Sequence, residues 1–152
     1  GTLGTTTEIL GHPRVNSVNL SGVTSGDPMS AAGIYPGMVV LLDASAMEEN
    51  KQLVFPLLND VNEGASITFY NAPGAGASSH IINLECNAPD GNIMSFAVQG
   101  IGAIYSRFED TGSGLNIPVG GFQGLDRLTF TKLGGYWVVE GVVQNLTGYA
   151  PT

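Results

Sequence analysis

Glycine and proline interrupt this chain so often that long helices do not fit between them. The 152 residues include 22 glycines and 8 prolines, and no window of about 11 residues free of them keeps the apolar spacing of an amphipathic helix. Short runs rich in Val, Ile, Phe, Tyr and Thr recur instead between Gly, Pro, Asn and Asp clusters, a pattern typical of an all-β sandwich or barrel. The sequence therefore predicts an all-β fold.

The apolar runs predict about nine or ten strands. Residues 38–43, MVVLLD, are apolar at nearly every position and need cover on both faces, whereas residues 65–71, ASITFYN, alternate like a half-buried strand. The other predicted strands are residues 53–58, 80–86, 93–98, 101–108, 115–119, 125–131 and 136–143. Because this number is large for one open sheet, we expect a two-sheet sandwich or a jelly-roll-like domain.

The first 33 residues differ from the rest in composition. Residues 1–33 are rich in Thr, Ser and Gly and contain only brief apolar stretches, such as the one around Leu20. This composition predicts an extended N-terminal arm that is either mobile or ordered by packing on another surface, including a neighbouring subunit. Residues 34–152 are predicted to form a single β-sandwich domain.

Charge and cysteine content exclude several classes of function. Thirteen acidic residues against five basic ones give a net charge of -8, which repels nucleic acid and anionic membrane surfaces. Cys86 is the single cysteine, so neither an intrachain disulfide nor a multi-cysteine zinc site can form. The sequence has no apolar run long enough for a membrane helix, and membrane insertion is not expected.

No catalytic, metal-binding or cofactor-binding motif is recognisable. His12 and His80 are far apart in sequence, and neither belongs to a paired metal-ligand motif. The small-residue loop before His80 leads into a strand rather than a helix, which argues against a phosphate cradle. Acidic residues that could serve a glycosidase stand mostly at turns: Glu85, Asp90, Glu109, Asp110 and Asp126. We therefore expect no enzyme activity and no cofactor.

The segment LTFTKLGGYWVVEGVV, residues 128–143, predicts a hairpin that closes the domain. Gly134 and Gly135 fit a two-residue turn with positive φ. The positions predicted to face the core are Leu128, Phe130, Trp137 and Val139. The opposite face carries apolar side chains as well, which predicts a subunit interface. The predicted interface residues are Tyr136 and Val138, together with Tyr70 and Tyr105.

The order of motifs between residues 53 and 141 carries a family resemblance. LVFPLLNDVNEGASITFYNAPGAGASSHIINL is followed by APDGNI, by a glycine-rich middle and by LDRLTFTKLGGYWVVEG. This order resembles the distal modules of bacteriophage tail fibres and related virion appendage proteins. The run YPGMVVLLDASA, residues 35–46, also resembles the opening of phage head-decoration proteins.

These resemblances imply a non-enzymatic structural protein of the virion, commonly a homotrimer, that acts in host attachment or capsid stabilisation. The implied partners are other copies of the chain, capsid or tail proteins, and a host surface glycan. The alternative is a stand-alone carbohydrate-binding or adhesin module, and a glycan-cleaving enzyme is a third hypothesis. A receptor surface would be sought first in the loops of residues 72–79, 87–92 and 109–114.

Overall fold

The computed structural model describes residues 13–91, 94–100 and 106–152, and these residues form two β-sheets around one apolar core. The strands are β1 (Arg14–Asn19), β2 (Met38–Asp43), β3 (Lys51–Val54), β4 (Ser66–Asn71), β5 (Ile82–Glu85), β6 (Met94–Gly100), β7 (Ser106–Gly112), β8 (Gly114–Ile117), β9 (Arg127–Leu133), β10 (Tyr136–Val143) and β11 (Ala150–Pro151). The described helices are short 3-10 segments: Leu20–Gly22, Met29–Ala32, Leu58–Asp60 and Ala88–Asp90. The prediction of an all-β fold with two sheets is confirmed.

The first half of the chain winds back and forth between the two sheets. The seven-stranded sheet has the order β1-β2-β4-β9-β10-β6-β7, and the four-stranded sheet has the order β11-β8-β5-β3. β1, β2 and β4 are parallel neighbours in the first sheet, as β3 and β5 are in the second. Between β1 and β2, Pro28 forms a parallel bridge to Val54 of the four-stranded sheet. Each coil therefore stacks on the previous one, as in a solenoid.

The predicted C-terminal hairpin lies in the middle of the seven-stranded sheet. β9 pairs antiparallel with β4 on one side and with β10 on the other, and β10 pairs parallel with β6. Gly134 closes the hairpin with φ 61°, a left-handed conformation that glycine adopts without steric cost. Gly135 has no such positive φ, so the predicted turn depends on the first glycine.

The core is centred on aromatic side chains from the seven-stranded sheet and on Phe55, which directly follows β3. The ring of Phe55 lies 4.8 Å, centroid to centroid, from Phe130 and also from Trp137. Phe69 meets Phe130 edge-on at 5.8 Å. The four hairpin positions predicted to face the core are fully buried: Leu128, Phe130, Trp137 and Val139. The prediction for these four side chains is confirmed.

The described part of the predicted arm, residues 13–33, lies against the same core. β1 pairs with β2 along its whole length at the edge of the seven-stranded sheet. Leu20 and Met29 are fully buried, and Asn16 Nδ2 donates a hydrogen bond to Gly33 O at 2.9 Å. Val18, Leu20 and Met29 point inward, whereas Val15 lies on the outward face of the sheet. The residues before Pro13 lie outside the described part of the chain.

Two local predictions are wrong. β3 ends at Val54, before the predicted end at residue 58, because Pro56 lacks the N–H group that a continuing strand would donate. Residues 109–114 do not form a loop, since β7 continues to Gly112 and β8 begins at Gly114. Gly112, Ser113 and Gly114 instead form a tight connection from β7 in one sheet to β8 in the other.

Candidate functional site

Amide side chains line the outward face of the four-stranded sheet. Gln52 on β3, Asn83 on β5 and Asn116 on β8 occupy the same level of three neighbouring strands. They alternate with fully buried residues such as Leu53 and Leu84, because successive side chains of a strand point to opposite faces. The three half-buried side chains of Gln52, Asn83 and Asn116 are termed the amide row.

Hydrogen bonds connect the amide row in one direction. Gln52 Nε2 donates to Asn83 Oδ1 at 3.0 Å, and Asn83 Nδ2 donates to Asn116 Oδ1 at 2.9 Å. At the edge, Ser25 Oγ accepts a hydrogen bond from the backbone N–H of Gln52 at 3.0 Å. A primary amide has two N–H donors and an oxygen with two lone pairs. The bonds within the row therefore use only part of its hydrogen-bonding capacity.

A groove of about 460 Å³ lies over the amide row. At one end, Glu85 Oε2 accepts a hydrogen bond from Thr152 Oγ1 at 3.0 Å. At the other end, Asn50 Oδ1 accepts from the N–H of Ile81 at 3.0 Å. The Glu85 carboxylate lies across Gly114, at a place that a side chain on residue 114 would occupy. The groove has the volume of ligand sites in proteins, which is roughly 300–1,000 Å³.

One ammonium group, from Lys51, and one carboxylate, from Glu85, line the groove, so its formal charge is zero. The Lys51 side chain is only 8% exposed. Its ammonium group donates to Val23 O and pairs with Glu49 Oε1 at 3.3 Å. The positive charge of Lys51 is therefore engaged at the sheet edge, and the Glu85 carboxylate is the other charged group of the groove.

Sequence reasoning missed the amide row. The alternation of Asn83 and Glu85 with apolar residues in the 80–86 run is visible in the sequence, and it places both side chains on one face. Gln52 and Asn116 join that face only through strand pairing, one parallel and one antiparallel. A lone polar residue at an outward position carries no signal until its neighbours across the sheet are known.

Three of the four predicted interface residues lie on the outward face of the seven-stranded sheet. On β10, Val138 is half-buried and Tyr136 is 45% exposed. Tyr70 on β4 is half-buried and lies on the same face. β9 lies between β4 and β10, and its pairing places Tyr70 level with Val142 of β10. The fourth residue, Tyr105, lies outside the described residues. The interface role of these residues remains a prediction.

Further apolar side chains extend this face across the sheet. The set termed the apolar outer face consists of Val15, Val39, Leu41, Tyr70, Leu133, Tyr136, Val138 and Val142. Val15 is 61% exposed and Leu133 is 48% exposed. Arg127 and Glu140 are exposed on the same face and have opposite charges. The apolar outer face therefore combines exposed hydrophobic area with little net charge.

Two of the loops predicted to carry a receptor site are fastened to the body of the domain. In the 72–79 loop, Ser78 is buried with its Oγ 2.7 Å from Pro118 O. Near the 3-10 helix Ala88–Asp90, Asp90 Oδ2 accepts a hydrogen bond from the N–H of Leu58 at 3.0 Å. These contacts give the loops defined positions.

Asp126 is a buried carboxylate, 1% exposed, that joins the chain before β9 to the segment after β10. Its Oδ1 accepts from the N–H of Gln144 at 2.8 Å, and its Oδ2 accepts from the N–H of Gln123 at 2.9 Å. The Tyr149 hydroxyl bonds to this carboxylate and accepts from the N–H of Phe122 at 2.8 Å. Burial raises the pKa of Asp126 despite these bonds, and burial raises the pKa of Tyr149. With so little exposure, the carboxylate serves the fold rather than a substrate.

Among the described residues, neither a nucleophile nor a metal centre is assembled around His80. Its Nδ1 lies 3.4 Å from Ser79 Oγ, but that hydroxyl donates to Met47 O at 2.9 Å. Within the described ranges, no three His, Cys, Asp or Glu side chains group together as metal ligands. The helices of that same part of the chain are too short to cross a lipid bilayer.

Comparison with known proteins gives no family for this chain. No protein-family model matches the sequence, and no curated protein has significant sequence similarity to it. The two outward sheet faces are therefore the basis for a functional proposal.

Proposed function

We propose that this chain is a non-enzymatic structural protein of a bacteriophage virion, a fibre, appendage or capsid-decoration module that assembles as a homotrimer. The observation that supports this most is the position of Tyr70, Tyr136 and Val138 on one outward face. The resemblance of residues 53–141 to distal tail-fibre modules supports the same role. Copies of this chain and capsid or tail proteins are the partners in this proposal.

The chemistry of the apolar outer face favours contact with another copy of the chain. Burial of exposed apolar surface stabilises an interface by about 25 cal/mol per Å² before the cost of association. Val15, Leu133 and Tyr136 each expose between 45% and 61% of their surface. Interface cores are enriched in aromatic residues, and Tyr70 and Tyr136 belong to this face. Around a three-fold axis, Arg127 of one copy can also meet Glu140 of the next, which is more favourable than a pair of like charges.

Self-association is tested with Val138→Glu, which introduces a charge at the centre of the apolar outer face. We expect the unaltered chain to have about three times its monomer mass of 15.7 kDa in multi-angle light scattering. The variant should be monomeric, because burying an unpaired charge costs an interface at least about 2 kcal/mol. Asn62→Glu adds the same charge at an exposed turn and should leave the trimer intact. A monomeric unaltered chain, or a trimer that tolerates Val138→Glu, would contradict the proposed assembly.

Incorporation into a virion is tested separately. The chain should co-sediment with intact capsids or with isolated tails, and antibodies against it should label assembled particles. Failure to bind either structure would contradict the virion role even if the chain forms a trimer.

The second candidate function is a carbohydrate-binding or adhesin module. The observation in its favour is the polar groove over the amide row, which is separate from the apolar outer face. If a monomeric chain still binds carbohydrate, the carbohydrate-binding module is favoured over the virion trimer. A site contained within one chain does not need a second copy.

A further inference from the structure

We propose that the groove over the amide row binds a neutral, hydroxyl-rich ligand of the glycan class. Gln52, Asn83 and Asn116 would form the floor, and Glu85 would close one end. This inference names the ligand chemistry of the second candidate function and does not depend on self-association. It rests on the hydrogen-bonding groups, the charge and the rigidity of the groove.

The hydrogen-bonding groups of the row match those of sugar hydroxyls. After the two bonds within the row, one side-chain N–H remains on Gln52, one on Asn83 and two on Asn116. Lone pairs on the three amide oxygens remain beside these donors. A sugar hydroxyl donates one hydrogen bond and accepts others, so neighbouring hydroxyls of one ring can each engage an amide in both ways.

The charge of the groove selects a neutral ligand. The Glu85 carboxylate accepts hydrogen bonds from hydroxyl groups but repels carboxylates, sulfates and phosphates. The ammonium group of Lys51 is bonded to Val23 O and Glu49, and the side chain is buried, so it contributes little attraction for an anion. The net charge of -8 opposes acidic polymers as well. Neutral glycans therefore fit this groove better than acidic glycans or nucleic acids.

The groove is organised before a ligand arrives. Strand pairing sets the spacing of the three amides, and each amide holds its neighbour through a hydrogen bond. Glu85 is held by Thr152 in the same way. Because these side chains are already ordered, binding loses less conformational entropy. Ile81 at the groove edge offers an apolar surface to the C–H groups of a sugar ring.

Affinity at one such site should be weak. No aromatic side chain among the described residues lines the groove, so none can stack on a sugar ring. Hydrogen bonds at an exposed surface must therefore supply most of the binding free energy. We expect a Kd on the order of 1 mM per site for a short oligosaccharide. A trimer that presents three grooves to one polysaccharide would bind more tightly through avidity.

NMR titration tests this inference because side-chain amide groups give their own ¹⁵N–¹H signals. The full chain is titrated with short neutral oligosaccharides derived from dextran, mannan and galactomannan, and with acidic oligogalacturonate. We expect the side-chain signals of Gln52, Asn83 and Asn116 to shift with at least one neutral ligand and not with the acidic one. Absence of shifts with every neutral ligand, or equal binding of oligogalacturonate, would overturn the inference.

Variants of the amide row separate this site from other surfaces. Asn83→Ala removes the central amide and should weaken binding at least about tenfold, which corresponds to 1.4 kcal/mol. Asn116→Ala tests the same row if Asn83→Ala fails to fold, and Asn62→Ala is the control outside the groove. Unchanged affinity in a folded row variant would overturn the inference. Val138→Glu should keep the per-site affinity, so loss of the trimer and loss of glycan binding are distinguishable.

Discussion

Trp137→Ala is expected to lower the free energy of unfolding by about 3–5 kcal/mol, the range for deleting a large aromatic side chain from a core. Trp137 is fully buried and lies 4.8 Å from the ring of Phe55, between the two sheets. Its indole N–H is buried without a hydrogen-bond partner among the described residues. The loss should therefore come from packing alone, and urea denaturation followed by circular dichroism will measure it.

Trp137→Phe distinguishes packing from hydrogen bonding. Phenylalanine keeps most of the ring contact with Phe55 and gives up no hydrogen bond, so the loss should be clearly smaller than for Trp137→Ala. Tyr35→Ala is a matched control, because Tyr35 is an aromatic side chain that is 50% exposed. Equal losses for Trp137→Ala and Tyr35→Ala would contradict the assignment of Trp137 to the centre of the core.

Asp126→Ala should cost on the order of 3 kcal/mol of stability at neutral pH, because it leaves buried donors without an acceptor. The backbone N–H groups of Gln123 and Gln144 and the hydroxyl of Tyr149 all bond to this carboxylate. Asp60→Ala, at an exposed carboxylate, serves as the control and should change stability by less than about 0.5 kcal/mol. A loss for Asp126→Ala no larger than the control would contradict the bonding role of Asp126.

The pH dependence of Asp126 has a definite sign. Burial raises its pKa in the folded chain above the ordinary value of 3.8, so the folded state binds a proton more readily than the unfolded state. The stability that arises from this pKa difference is therefore full below pH 3.8 and is lost as pH rises through the folded pKa. Asp43 acts oppositely, because hydrogen bonds from Ser45 lower its pKa and its contribution is lost at lower pH. Asp126→Asn should abolish the gain in stability as pH falls from neutral toward 4, measured by urea denaturation at each pH.

The strands that the sequence predicts best are those whose signals are local. Residues 38–43 and 136–143 are predicted with the bounds that β2 and β10 have, because a continuous apolar run and a Gly-Gly turn mark their ends. β1 is not predicted, since residues 14–19 include Arg14 and two Asn and become a strand through parallel pairing with β2. A strand that depends on pairing with a distant segment need not have a strand pattern in its own sequence.

The two outward faces were predictable to different degrees. Alternation in β10 indicates that Tyr136 and Val138 share a face, and the structure adds Val39 and Leu41 to it through the strand order. The amide row could not be predicted, because Gln52, Asn83 and Asn116 lie about 30 residues apart in sequence. Only the alternation of the chain between sheets brings the three strands together. The polar groove is thus a product of topology, whereas the apolar outer face follows partly from strand periodicity.

The position of the β9-β10 hairpin has a consequence for synthesis on the ribosome. β1 to β5 can stack in order as they emerge, because β2 pairs with β1, β4 pairs with β2 and β5 pairs with β3. β4 and β6 are separated in the seven-stranded sheet by β9 and β10, which are made later. An unfinished chain therefore exposes the pairing edge of β4 and the inner face that Phe130 and Trp137 will cover. Newly made copies at high concentration would be open to strand exchange until residue 143 has left the ribosome.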